Sequence, residues 1–103
     1  MMKIAAFSAL LLALASLPVA AQQPNRSLIL ECMACHGDDG IAKDKDVPHL
    51  AGQNYEYLLR QMRLFQTGKR PHKEMKVMSR LMDESEMREI ADYYASLPRQ
   101  PKN

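Results

Sequence analysis

Apolar residues recur at helical spacing in three stretches of the chain, and no stretch alternates apolar with polar as a half-buried strand would. Leu28, Ile29 and Met33 predict a first helix over roughly 27–34. Tyr55, Leu58, Leu59, Met62 and Phe65 stand at offsets 0, 3, 4, 7 and 10, one face of a second helix. Asn54 is placed to cap its start, and Gly68 followed by Pro71 ends it. Met87, Ile90, Ala91, Tyr94 and Leu97 repeat the stripe in a last helix before Pro98, and Asp83 with Glu86 has the spacing of a capping box. Between the first two helices, 36–53 scatters Gly37, Gly40, Pro48 and Gly52 among small and charged residues, which predicts a long loop. Met75, Met78 and Met82 lie together in the stretch between Pro71 and Asp83. The fold class is therefore all-α, in one domain, with no internal repeat or second composition regime.

The first residues do not belong to that domain. Lys3 gives a short basic start, 4–17 is apolar apart from Ser8 and Ser16, and Pro18-Val19-Ala20-Ala21 ends in small residues. The apolar run is about 14 residues, short of the roughly 20 that span a bilayer. The expected organisation is a signal peptide over 1–21, cleaved after Ala21, a leader over 22–26, the domain over 27–98 and a tail over 99–103. An exported, periplasmic protein without a stable membrane anchor after cleavage follows from that reading. Discounting Lys3 leaves thirteen basic residues against twelve acidic ones, which excludes the strong single-sign field of a nucleic-acid binder. The remaining chain, about 82 residues without tryptophan, is short enough that a disulfide, metal or cofactor is expected to complete its core.

Both cysteines lie in one pentapeptide, Cys32-Met33-Ala34-Cys35-His36. A disulfide across two intervening residues would close too small a loop to staple the fold, because the entropic gain falls with loop size. A thioredoxin-like redox pair normally sits beside a βαβ pattern, which is missing here. Structural zinc needs four ligands, and the only further imidazoles, His49 and His72, lack paired-ligand spacing. Covalent haem uses every residue of the motif: two thiols spaced to form thioethers with two vinyl groups, then a histidine to ligate the iron. A haem c is also a large apolar plate, which supplies the missing core.

The chain resembles the class I c-type cytochromes, more narrowly the small bacterial group with the c-4 and c-553 types and the cytochrome subunit of flavocytochrome c sulfide dehydrogenases. The resemblance rests on Cys-Met-Ala-Cys-His-Gly-Asp-Asp-Gly, on Pro48-His49-Leu50-Ala51-Gly52-Gln53, on Tyr55 to Gly68, on a following methionine and on Ile90-Ala91-Asp92-Tyr93-Tyr94. It implies helices packed around one covalently bound haem, with Cys32 and Cys35 as thioether donors and His36 as the proximal iron ligand. It also implies that the Pro48 carbonyl accepts from the Nδ1 of that histidine and orients the ring. The resemblance implies a distal loop between Pro71 and Asp83; counting back without gaps from Ile90-Ala91, Met75 falls on the family's distal ligand position, with Met78 the second choice. Met33, Met62 and Met87 read as core filler, and His49 and His72 as solvated loop histidines.

Arg60, Arg63, Lys69, Arg70, Lys73, Lys76 and Arg80 form a basic segment with only Glu56 and Glu74 nearby. It reads either as ordinary solvated surface or as a docking face for a redox protein with an acidic surface, one arginine being suited to a haem propionate. The expected function is a one-electron carrier with a His/Met-ligated haem iron in a periplasmic chain, not an enzyme. The alternatives are a haem-bearing subunit of a periplasmic dehydrogenase complex, and a haem enzyme or gas sensor with an open distal site.

Overall fold

The computed structural model describes residues 26–99 and, ahead of them, 2–3, 5–6, 10 and 12–16. The expected signal peptide over 1–21, most of the leader and the end of the tail lie wholly or largely outside the described residues. Four helices follow one another: α1 (Arg26–His36), α2 (Tyr55–Thr67), α3 (Lys73–Arg80) and α4 (Glu84–Ser96). No strand occurs among the described residues, and no helix there is long and apolar enough to cross a membrane. The packed unit exceeds the expected 27–98 by one residue at each end, since Arg26 opens α1 and the Arg99 Nε donates to the Gly52 carbonyl at 3.0 Å.

Local chemistry fixes the ends of α2 and α4. Asn54 accepts from the Tyr57 amide and starts α2. Gly68, at φ 80°, stops it in the left-handed region that a side chain disfavours. Asp83 accepts from the Glu86 amide while the Glu86 carboxylate accepts from the Asp83 amide, a reciprocal capping box that starts α4.

The main departure from the sequence reading is α3. The stretch between Pro71 and Asp83 is not a loop but an eight-residue helix, capped by His72, whose Nδ1 accepts from the Met75 amide at 3.2 Å. Its inner face is Met75, Met78 and Ser79, the spacing of an amphipathic helix with a hydroxyl in the stripe, and buried Met82 follows just past its end. Ser79 is fully buried, and its hydroxyl donates to the Lys76 carbonyl. The Gln66 side chain donates to the Ser79 and Met82 carbonyls, both at 2.9 Å, so α2 ties down the end of α3 and the turn that follows it.

The core joins Leu58, Leu59 and Met62 of α2 to Met87, Ile90, Ala91 and Tyr94 of α4, with Leu28 of α1 and Met82 completing it. Each large side chain buried there contributes roughly 1.5–3 kcal/mol. α2 is the central element, packing against both α3 and α4. The loop from α1 to α2 folds back on itself: the amides of Leu50 and Ala51 donate to the Gly40 carbonyl, and the Gly52 amide donates to the Tyr94 carbonyl of α4 at 2.9 Å. Gly40 is required at that crossing. Its φ is +75°, and a Cβ there would lie 2.8 Å from the Ala51 amide nitrogen.

Gly40→Ala is therefore expected to destabilise the protein by roughly 1–3 kcal/mol, from backbone strain and the clash together. The midpoint of urea unfolding, followed by helical circular dichroism, measures it.

Candidate haem-binding site

Cys32, Cys35 and His36 lie three and four residues apart on α1, which puts them on one face of its last turns. Cys32 is half-buried and packs against the core, Cys35 is exposed, and both are free thiols. Burial pushes the Cys32 thiol up to about 11, with smaller contributions from Glu31 and Cys35. It therefore stays protonated and unreactive at neutral pH until it enters a bond.

His36 is buried, 8% exposed. Its Nδ1 lies 3.0 Å from the Pro48 carbonyl oxygen across twelve residues of sequence. A carbonyl only accepts, so Nδ1 carries the proton and donates, which leaves the lone pair on Nε2. The ring meets Tyr94 of α4 edge-on, with centroids 6.3 Å apart. Helix α1, the loop and α4 thus each constrain the imidazole.

The other histidines do different work. His49 accepts from the Ala42 amide at 2.8 Å and ties the loop to itself, and His72 caps α3. Both are exposed and outside the helices, and each also accepts from a backbone amide through its Nδ1. Met62 and Met87 are buried as core filler, and Met33 is half-buried. Met75 sits half-buried in the first turn of α3, while Met78, one turn on, packs against the core. The described residues bring Cys32, Cys35, His36, Pro48 and Tyr94 into one cluster, and carry Met75 and Met78 on a separate helix.

The basic segment is partly spent on the fold. Arg63 forms a two-point ion pair with Glu84 that links α2 to α4 and holds the Glu84 carboxyl below its usual range. Arg70 lies 4.5 Å over the Phe65 ring and donates to Gln61 at 2.7 Å. Among the described residues Arg60, Lys69, Lys73, Lys76 and Arg80 have no carboxylate within ion-pair distance.

The donor set fits a covalently attached haem. Two free thiols and a tautomer-fixed imidazole share one helix face, and the Tyr94 hydroxyl is a buried polar atom with no protein partner. Among the described residues no three His, Cys, Asp or Glu side chains form a set of metal ligands, which the zinc reading would need.

No family model matches the chain. Among curated proteins, it is 42% identical over 65 residues to cytochrome c4 of Pseudomonas aeruginosa, a match covering 63% of this chain and 32% of that protein. A cytochrome c-554(548) of Halomonas halodenitrificans is 31% identical over 68 residues, covering 63% of this chain and 82% of that protein. A thiosulfate dehydrogenase electron acceptor of Stutzerimonas stutzeri is 36% identical over 72 residues, 67% of this chain and 33% of that one. Among solved structures, cytochrome c4 of Acidithiobacillus ferrooxidans superposes with a TM-score of 0.61 at 36% identity, covering 64% of this chain and 38% of that chain. The chain belongs to the class I c-type cytochromes. It spans about a third of the length of the cytochrome c4 and thiosulfate dehydrogenase acceptor relatives.

In the chain before haem attachment, iodoacetamide should label exposed Cys35 first and leave half-buried Cys32 slow. Labelling of Cys32 should accelerate as the pH approaches about 11, where its thiolate forms. Peptide mass spectrometry separates the two sites.

Proposed function

We propose that the chain binds one haem c and serves as a one-electron carrier between periplasmic redox proteins. The observation that carries this reading is the His36 Nδ1 to Pro48 hydrogen bond, which leaves an Nε2 lone pair beside two free thiols on one helix face. When bound, haem supplies an iron that alternates between ferric and ferrous states by one electron, with no proton or group transferred.

The chain's own residues do the rest. Cys32 and Cys35 anchor the group by thioethers, so it is not lost when its charge changes. His36 is the proximal ligand, and Pro48 keeps its ring oriented and raises its basicity. Met75 is the distal ligand: a thioether favours the reduced iron, raises the potential and closes the metal to exogenous ligands. Two features support Met75 over Met78. It falls on the family's position, and its side chain is not committed to the core as that of Met78 is.

Lys73, Lys76 and Arg80 of α3, with Lys69 ahead of it, form the docking face for a partner with an acidic surface, where complementary charge mainly speeds encounter. A specific observation also favours the subunit reading. Val77 and Leu81, 59% and 62% exposed, stand four residues apart on the outer side of α3. An apolar pair inside a basic rim suits a more lasting partner within a dehydrogenase complex.

Haem-loaded wild type is expected to show the weak far-red sulfur-to-iron charge-transfer band in its ferric form. Met75→Ala should abolish the band and lower the midpoint potential, and Met78→Ala should keep both. Loss of the band only in Met78→Ala would move the ligand to Met78. A wild type without the band that binds carbon monoxide readily would replace the carrier reading with an open-site enzyme or sensor.

The docking reading makes a separate prediction. Oxidation of the reduced protein by the anion hexacyanoferrate should slow with rising salt. The double variant Lys73→Glu/Arg80→Glu should oxidise more slowly at low salt, with that dependence flattened. Stopped-flow spectroscopy measures both.

A further inference from the structure

The adjacent tyrosines of α4 have unequal fates. The Tyr93 hydroxyl donates to the Asp38 carbonyl and pins the loop after the motif. The Tyr94 hydroxyl is buried and finds no protein partner among the described residues, although the residue is only 1% exposed. Packing does not explain it, because Tyr94 continues the stripe of Met87, Ile90 and Ala91, where a plain aromatic ring would fill the same space. A hydroxyl in that position costs free energy unless something accepts from it.

The proton on His36 Nδ1 is held by the Pro48 carbonyl, and the Tyr94 carbonyl already accepts from the Gly52 and Leu97 amides. The phenol lies close enough to Cys32 that a charge on that sulfur would raise its pKa further, beyond the rise caused by burial. Its ring stands edge-on to His36. The unpartnered donor therefore belongs to a side chain packed against His36, one of the three residues that would hold the haem.

We infer that the Tyr94 hydroxyl is a positioning residue for the haem, donating a hydrogen bond to the group held by Cys32 and His36 and biasing it toward the reduced state. This rests on the haem reading given above. The edge of a haem offers acceptors and electron density but no donor, so the hydroxyl must donate. The positive end of its dipole in a dry site then favours the form with one more electron. The same bond offsets the cost of burying the hydroxyl.

The test is Tyr94→Phe in the haem-loaded protein, which removes the oxygen and keeps the ring. At a fixed ambient potential near the midpoint, the reduced-to-oxidised ratio of Tyr94→Phe should fall about threefold to tenfold, tenfold being about 59 mV for a one-electron couple. The far-red charge-transfer band should persist, because the distal ligand is untouched. An unchanged midpoint potential in a fully haem-loaded variant overturns this inference alone, whatever happens to its unfolding midpoint. A wild type that carries no thioether-bound haem overturns the site reading and this inference with it. Tyr94→Leu, which removes ring and oxygen, should match the potential shift of Tyr94→Phe while losing stability. A shift confined to Tyr94→Leu would assign the effect to packing and overturn the role of the hydroxyl.

Discussion

The hydrogen bond from His36 to the Pro48 carbonyl is the contact on which the site depends. It spans a loop with no regular structure, and it converts an imidazole with two interchangeable nitrogens into one with a defined donor and a defined lone pair. The loop holds Pro48 in place through its own crossing at Gly40 and Ala51 and through the Gly52 amide bonded to α4. Losing any of these would free the imidazole to rotate, and the thiols would then lie beside a ligand of undefined direction.

The helices supply the rigid frame for this contact at little length. α2 carries a full apolar stripe, and α4 presents Ala91, fully buried, which lets the two helices come close. α1 has less to offer: Leu28 and the half-buried Cys32 reach the core, and Leu30 is 61% exposed. Its attachment by apolar contact is slight, and the two cysteines that would anchor a haem are on that helix. Covalent attachment there would add to thin packing, as expected in a chain too short to enclose a large core.

Much of this was legible in the sequence, for reasons that can be traced to particular residues. Asn54, Gly68, Asp83 and Glu86 are local signals whose hydrogen bonds form within a few residues, so the bounds of α2 and the start of α4 followed from them. The cysteine and histidine motif is equally local. What could not be read depends on distant partners. The resemblance implies a loop where α3 stands, and what holds the helix there is distant: Gln66 donates to the carbonyls of Ser79 and Met82, thirteen and sixteen residues away. The capping roles of His49 and His72 belong to backbone geometry that no residue type announces. Arg63 and Arg70 read as free surface charge, yet their partners are Glu84 across the fold and the face of Phe65. The Tyr94 hydroxyl was hidden within an apolar stripe, where the ring fits and only the oxygen does not.

Helix α3 is where these strands meet, because one short element carries the proposed distal ligand, the basic rim and the exposed apolar pair. Its two ends are secured from within the chain, by His72 at the start and by Gln66 at the finish, and Ser79 seats its inner face without leaving a buried hydroxyl unpaired. Met75 therefore owes its position to capping and to α2, not to whatever covers the outer face. That separation lets Val77, Leu81 and the surrounding cations contact a partner while the ligand residue stays fixed by contacts the partner does not touch. A carrier needs this division, since a ligand displaced at each encounter would change its potential at the moment of transfer.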